Sequence, residues 1–377
     1  MYELRILPSI RDISREAWDA LVGPESSPFV EWTWLDCLEQ AKCVGGGTGW
    51  TSLHFTLYED DKLVAAAPGY AKENSEGEFV FDWSWADVSA RVGVPYYPKL
   101  ILAVPFTPAT GDRALTSPSA TPEERAQRLQ VLAAAGKKWI EETGVSSAHV
   151  LFPSPSESAL WAKTGYATRY GVQYHWRRQG ERTWEEFLGR FNSKRRNTLK
   201  REAAQPARDG VTIETLRPAD LTPAIAKEMY ALYRTTVDKF HWGRRYLTPK
   251  FFDLVADRFR DRLAWVVARK DGQIIASAFN VQKGKVLYGR YWGAHVELPF
   301  LHFNVCYYHG VKQCLEQGLD VFEPGAGGEH KKVRGFDPTI TYSNHWIADR
   351  RLRGVLEEFL SREREAIERY VAGGAED

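Results

Sequence analysis

Cysteine, methionine and net charge are all scarce in this chain. Its four cysteines, Cys37, Cys43, Cys306 and Cys314, are too few and too scattered for a disulfide framework, and no two have the C-x-x-C spacing. They read as small buried apolar side chains. The formal net charge is only +1, so no whole-chain field marks a binder of nucleic acid or of acidic surfaces, and any anion site must be local. No apolar run approaches the roughly 20 residues that span a bilayer. Met1–Arg5 carries no apolar core of a signal peptide. Together these absences predict a soluble protein of the reducing cytoplasm.

What is present is ordinary for an enzyme. At 377 residues the chain exceeds one hydrophobic core, so two domains are expected. Hydrophobic residues at 44% and charged residues at 26% exclude disorder. Aromatic residues reach 13%, with 14 tryptophans against two methionines. Such rigid, large-area side chains suit either a well-packed double core or the walls of an apolar pocket.

Local pattern predicts a recurring order of elements. In the first half a strand (Tyr2–Leu7) precedes helices near Ser14–Leu21 and Trp32–Ala41. A hairpin follows, Thr51–Tyr58 and Leu63–Tyr70, turning at Glu59–Lys62. Glu78–Trp85 reads as a strand, and the proline-rich Pro95–Gly111 as a long ordered loop. A helix then runs from Pro122 to about Glu142, stopped by Gly144, before a strand at His149–Phe152, a helix at Glu157–Lys163 and a strand at Tyr166–Arg177. The second half repeats this order. A helix spans Trp184 to about Ala204, followed by a strand at Val211–Leu216 and helices near Pro223–Val237 and Pro249–Arg260. A hairpin comes next, Leu263–Ala268 and Gln273–Gln282, then a strand at Val286–Trp292, a helix at Leu301–Gln317 and a buried strand at Leu319–Phe322. Thr339–Ile347 and a helix from Leu352 to about Tyr370 close the chain. Strand, helices, hairpin, strand, helix, strand is the order of the GNAT acyltransferase fold. The expected fold class is therefore α/β with mixed sheets, in two tandem GNAT-like domains, 1–174 and 175–377, the second carrying the active site.

The densest polar stretch, Glu323–Phe336, directly follows the predicted core strand Leu319–Phe322. Its glycines 325, 327 and 328 allow close backbone approach and expose N–H donors to an anion. Glu329 and His330 are the two usual kinds of base for an ammonium nucleophile. Lys331, Lys332 and Arg334 can neutralise phosphate or a developing oxyanion. A second cluster, Tyr288–His295, resembles the Arg/Gln-x-x-Gly-x-Gly/Ala signal by which GNAT enzymes hold a donor pyrophosphate at a strand-to-helix junction. Arg290 and Gly293 match it, Ala294 follows, and His295 replaces the final small residue. Tyr288, Tyr291 and Arg334 are candidate substrate contacts. On the next predicted helix, His302 lies nearest the donor end. Its spacing to His309 is not a zinc pattern, and no metal is expected. The basic run Ser193–Arg201, with Lys194 and Arg195, could hold a nucleotide donor, tRNA or an anionic lipid surface, or be a solvated helical face. In the first half, Asp82, Lys99 and Arg113 sit among aromatics and prolines, where unpaired charge is costly. Pairing is expected for Lys99, while Asp82, Trp85 and Arg113 are candidate cleft residues.

The blocks Gly77–Ala86, Tyr96–Arg113, Tyr288–Gly293, Leu301–Tyr308 and Gly325–Phe336 together resemble a bacterial family of the Fem-like group. That family is labelled peptidoglycan biosynthesis/recognition or predicted N-acyltransferase, and the resemblance covers nearly the whole chain. It implies tandem GNAT domains and acyl transfer to an amine. Lys331–Phe336 is similar to the Lys/Arg-Gly-Phe loop of Fem aminoacyl ligases. The family commonly has Glu where this chain has Asn304, and Gln where it has Gly327, which leaves Glu329 or His330 as the base. Some relatives look like bacterial ceramide synthases. The implied reaction joins a thioester donor, acyl-CoA or an acyl group on acyl carrier protein, to a small or lipid amine such as a sphingoid base. Glu329, His330, Lys332 and His302 are expected to act in it, with no tightly bound cofactor and peripheral contact at the inner membrane face. The rival expectation is an aminoacyl-tRNA-dependent ligase acting on a cell-wall precursor or small amine. The non-enzymatic alternative is a muropeptide- or lipid-binding module.

Overall fold

The computed structural model describes residues 2–239 and 245–373. The chain divides into two compact units, Met1–Val172 with Ile340–Asp377, and Gln173–Thr339. The first crossing lies close to the expected boundary. The segment 340–377, read from the sequence as the end of the second domain, instead belongs to the first unit. The reason is visible in the ladder: Ser343–Ile347 pairs antiparallel with Ser147–Leu151, and Leu352, Leu356 and Leu360 of the last helix pack with Trp85 and Tyr96.

Most of the anticipated elements are present in the anticipated order, and the fold is mixed α/β with two tandem GNAT-like units. The two hairpins turn where their chemistry allows. Asp60 and Asp61 have φ of 49° and 58°, and Asp271 and Gly272 have 51° and 77°, the paired positive values that two-residue hairpin turns require. The helix Pro122–Thr143 begins at Thr121, whose hydroxyl and Glu124 form a reciprocal cap, and ends on left-handed Gly144.

Two expectations in the first unit are corrected. Glu78–Trp85 is not a strand: the chain enters a helix at Trp83–Arg91, whose buried Trp85 and Ser89 are one turn apart. The loop Pro95–Gly111 contains a strand, Lys99–Leu102, buried throughout and paired parallel with Ser147–Leu151.

Burial of Lys99 depends on its partners. Its ammonium donates to Glu78 Oε2 at 2.9 Å and to Asp82 Oδ2 at 2.5 Å, and the Tyr96 hydroxyl donates to the same Asp82 oxygen at 2.6 Å. Asp82 is thus engaged within the unit, as Lys99 was expected to be. Arg113 is also spent structurally: its guanidinium holds the carbonyls of Ala109, Gly111 and Leu151, which pins the loop. Trp85 is buried edge-on to His345, with ring centroids 4.8 Å apart.

Replacing Lys99 with Met removes the ammonium that both buried carboxylates touch. It should cost about 3–5 kcal/mol, read by denaturant unfolding at pH 8. Burial pushes the Glu78 carboxyl up to about 7 against an ordinary 4.5. The folded protein therefore holds that proton longer than the unfolded chain, and stability falls as pH rises between those values. Glu78→Gln should flatten this part of the stability–pH curve. An unchanged slope would show that Glu78 is not its source.

Candidate active site

In the second unit the strands Val286–Ala294 and Val321–Glu323 run parallel, with Tyr288 opposite Glu323. Gly289 lets them stay close, because a Cβ there would lie 3.0 Å from Pro324 Cα. Beyond Glu323 the backbone turns through Gly325, Gly327 and Gly328, at φ of 92°, 73° and 91°. A single tight helix follows, Glu329–Arg334, closed by Gly335 at φ 83°. Side chains other than glycine rarely adopt such angles, so the glycines define both ends of this six-residue helix.

That helix is clamped from within. Arg334 is buried, and its Nη2 lies 3.0 Å from Glu202 Oε2. Its Nε donates to the Tyr308 hydroxyl at 3.0 Å and its Nη1 to the His330 carbonyl at 2.8 Å. The Tyr308 hydroxyl in turn donates to Glu202. The guanidinium also stacks 3.5 Å above the Phe303 ring.

The receiving element is the helix expected at 301–317, which is not uniform. Leu301–Phe303 and His309–Gln317 are α-helical, but Asn304–Tyr308 forms a π-helical turn, a local widening frequent at functional sites. Asn304 donates its amide to the carbonyls of Glu202 and Phe300. Asn304 here serves as a backbone tie to the helix Ser193–Arg208.

His330, Lys331 and His302 gather around Tyr307. His330 is exposed, yet its Nε2 is 3.1 Å from the Tyr307 hydroxyl and its ring is 6.0 Å from that of His302. Partial burial, then Lys331 and Arg334, hold its imidazole below the ordinary 6.5. His302 is lowered further, to about 4, chiefly by burial against Trp292 and its neighbours. Lys331 is buried, donates to the Gly325 carbonyl at 2.7 Å, and is brought down to about 8 by desolvation. At neutral pH the cluster thus presents two uncharged imidazoles beside two cationic side chains.

Not every expected residue joins it. Glu329 is exposed, and no hydrogen bond or ion pair among the described residues ties it to the cluster. Lys332 is half-buried, whereas its neighbour Lys331 points inward. Arg290, Gly293 and Ala294 lie in the closing half of the strand Val286–Ala294, and the next element is the helix that begins at Leu301, so the strand-to-helix order expected there is present. Gly293 is opposite Ser277 in the ladder, and a Cβ there would meet the Leu232 carbonyl at 1.8 Å, so packing alone demands glycine. The Ala294 N–H donates to Thr235 Oγ1 and His295 pairs with Glu228 at 2.7 Å. Arg290 is half-buried, and desolvation lowers its pKa. Tyr288 is buried, and Tyr291 packs edge-on to Tyr233 at 5.0 Å. Lys194 is exposed and Arg195 half-buried on the helix Ser193–Arg208, and among the described residues neither forms an ion pair. Sequence reasoning missed Glu202, Tyr307 and Tyr308. The signal for Glu202 was its place between Leu199 and Pro206 on the buried face of a helix.

The order of elements is that of a GNAT-like fold of the acyltransferase type, duplicated in one chain. The chain belongs to the FemAB-like family, described by peptidoglycan biosynthesis and recognition, which matches residues 9–377. No curated protein matches it. Among solved structures it is similar to the C-terminal domain of a putative lysylphosphatidylglycerol synthetase from Agrobacterium fabrum, at 13% identity and a TM-score of 0.54, covering 92% of this chain and 95% of that one. FemX is similar at 13% identity and TM-score 0.54, covering 92% and 98%. L-PGS from Bacillus licheniformis gives 11% and 0.52, covering 91% and 98%. At these identities the likeness is one of fold. No helix among the described residues is long and apolar enough to cross a membrane.

Breaking the clamp should be costly. Arg334→Met leaves Glu202 buried and unpaired, and Glu202→Gln leaves the guanidinium so. Each should destabilise the chain by about 3–5 kcal/mol, measured by urea unfolding. A loss below 1 kcal/mol in both would show that the pair does not hold the helix Glu329–Arg334.

Proposed function

We propose that the unit Gln173–Thr339 transfers an acyl group from a thioester, acyl-CoA or acyl carrier protein, to an amine, with His330 as the base. The observation that carries this reading is the solvent-reachable imidazole of His330, held against Tyr307 and beside Lys331 and Arg334, whose charges and partial burial keep its pKa below the ordinary value. An aliphatic ammonium has a pKa near ~10 and must lose a proton before its nitrogen can attack. A neutral imidazole accepts that proton. The nitrogen then bonds to the thioester carbon, and the negative charge on the carbonyl oxygen is stabilised by the neighbouring cations. The imidazole passes that first proton to solvent and takes the second one from the nitrogen as the C–N bond forms; collapse then breaks the C–S bond, and the imidazolium gives its proton to the leaving thiolate. No tightly bound cofactor enters this scheme.

Trp292, Phe303 and Tyr307 around the histidines suit an apolar acyl or acceptor chain, of which a sphingoid base is one. A lipid acceptor would bring the protein to the inner face of a membrane. The second reading takes an aminoacyl-tRNA ester as donor. It draws on Lys194, Lys200 and Arg201, exposed along the helix Ser193–Arg208 without ion-pair partners among the described residues; such a face would hold phosphates.

Release of free thiol from a panel of acyl-CoAs, with a long-chain amine as acceptor, tests the first reading. His330→Gln should lower kcat about 100-fold or more, while Glu329→Gln should leave it near wild type. Because His330 titrates below 6.5, the acid limb of kcat/KM assigned to it should lie below that pH. Turnover with charged tRNA alone would favour the second reading, and ligand binding without turnover of any donor would overturn both.

A further inference from the structure

The first unit holds a cavity of about 490 Å³ that the proposed chemistry does not use. Ala159 and Ala162 of the helix Pro155–Lys163 form one wall. Tyr170 and Tyr342, edge-on at 5.2 Å between ring centroids, form another. The third comes from the C-terminal helix Arg350–Gly373, which contributes Glu357 and Arg364.

These two charged side chains are seven residues apart, two helical turns, and so share one face. The separation along the helix axis is roughly 10 Å. They do not pair with each other, and among the described residues neither forms an ion pair with any other side chain, although Arg169 and Glu363 nearby do so at 2.9 Å. The guanidinium of Arg364 is held in place by one bond, Nη1 donating to the Thr168 carbonyl at 2.6 Å. Its Nε and Nη2 remain directed to no protein acceptor among the described residues. The cavity therefore offers a carboxylate at one end, a positioned fork of donors at the other, and an aromatic and aliphatic floor between. Its volume lies in the range of small-molecule sites, roughly 300–1,000 Å³.

We propose that this cavity binds a short peptide with free termini, its ammonium at Glu357 and its carboxylate on Arg364. An extended peptide advances roughly 3.3–3.6 Å per residue, so three residues bridge the two charges. A single amino acid is too short to reach both. The fork of Arg364 suits a carboxylate, which it can engage with two parallel bonds. The tyrosines accept side chains of the middle residue without requiring charge there.

The full chain titrated with trialanine, followed by saturation-transfer difference NMR, tests this. Saturable binding is expected, weakened at least tenfold by Glu357→Gln and by Arg364→Gln. Binding should also fall at least tenfold when the peptide is acetylated and amidated at its ends, or replaced by free alanine. Glu357 is exposed, so its variant keeps the experiment clear of folding losses, with the thermal unfolding midpoint as control. No saturable binding of trialanine, or affinity unchanged in Glu357→Gln, overturns the proposal. The readout is binding and needs no turnover, so it stands or falls separately from acyl transfer in the other unit.

Discussion

One buried cation organises the candidate site. Arg334 is taken out of water, which for an isolated guanidinium would be prohibitive. The loss is offset because its nitrogens meet Glu202, the Tyr308 hydroxyl and the His330 carbonyl, and its plane lies on Phe303. Three elements are joined by this one group: the helix Ser193–Arg208 through Glu202, the π-helical turn through Tyr308, and the helix Glu329–Arg334 on which Arg334 itself stands. The glycines make the arrangement attainable. At Gly335 a Cβ would approach the Phe187 ring to 2.8 Å, so the helix can close against that ring only because no side chain intervenes. With the end of the helix fixed by Arg334, the positions of His330 and Lys331 follow from its short period.

The electrostatics of the cluster depend on the same packing. Desolvation is the leading cause of lowered pKa at His302, His330 and Lys331, and the cations reinforce it at both imidazoles. Burial and like charge act in one direction on a histidine. The outcome is division of roles by depth. His302, deep beside Trp292, is too weak a base to take up a proton near neutrality. His330, nearer solvent, is shifted less and remains able to accept one.

Much of the fold was legible because its signals are local. Asp60–Asp61 and Asp271–Gly272 announce hairpins through residues that tolerate positive φ, and Thr121, Glu124 and Gly144 bracket a helix by capping chemistry alone. The misreadings came where local pattern is ambiguous. Apolar residues alternate at Phe79, Phe81, Trp83 and Trp85, which suggests a strand, but the buried pair Trp85 and Ser89 has helical spacing. Prolines hid the strand Lys99–Leu102, whose residues are buried on both faces and so show no alternation. The stretch 340–377 carries no local mark of which unit it joins, since strand pairing over nearly two hundred residues decides that. In the site, the glycine-rich stretch and His330 were visible. Glu202 was not, because a carboxylate in a run of basic residues looks solvated until its helix face is known. Lys331 and Lys332 are adjacent and identical in chemistry, and only the period of their helix distinguishes the inward one.

The two units use buried charge in different ways, and this argues for where the chemistry lies. In the first unit Lys99 is committed to Glu78 and Asp82, and Arg113 to backbone carbonyls. His149 and His345 are a cross-strand pair with Nδ1 atoms 2.6 Å apart, both held well below their ordinary pKa by complete burial. Each of these groups is enclosed, so none can meet a reacting molecule without the core opening. In the second unit the committed charge, Arg334 with Glu202, lies beneath a residue that is not enclosed. His330 is exposed while its neighbours on both sides of the ring are fixed. A base as proposed for acyl transfer needs both properties at once, a held orientation and access to solvent-borne substrate, and His330 on the helix Glu329–Arg334 combines them.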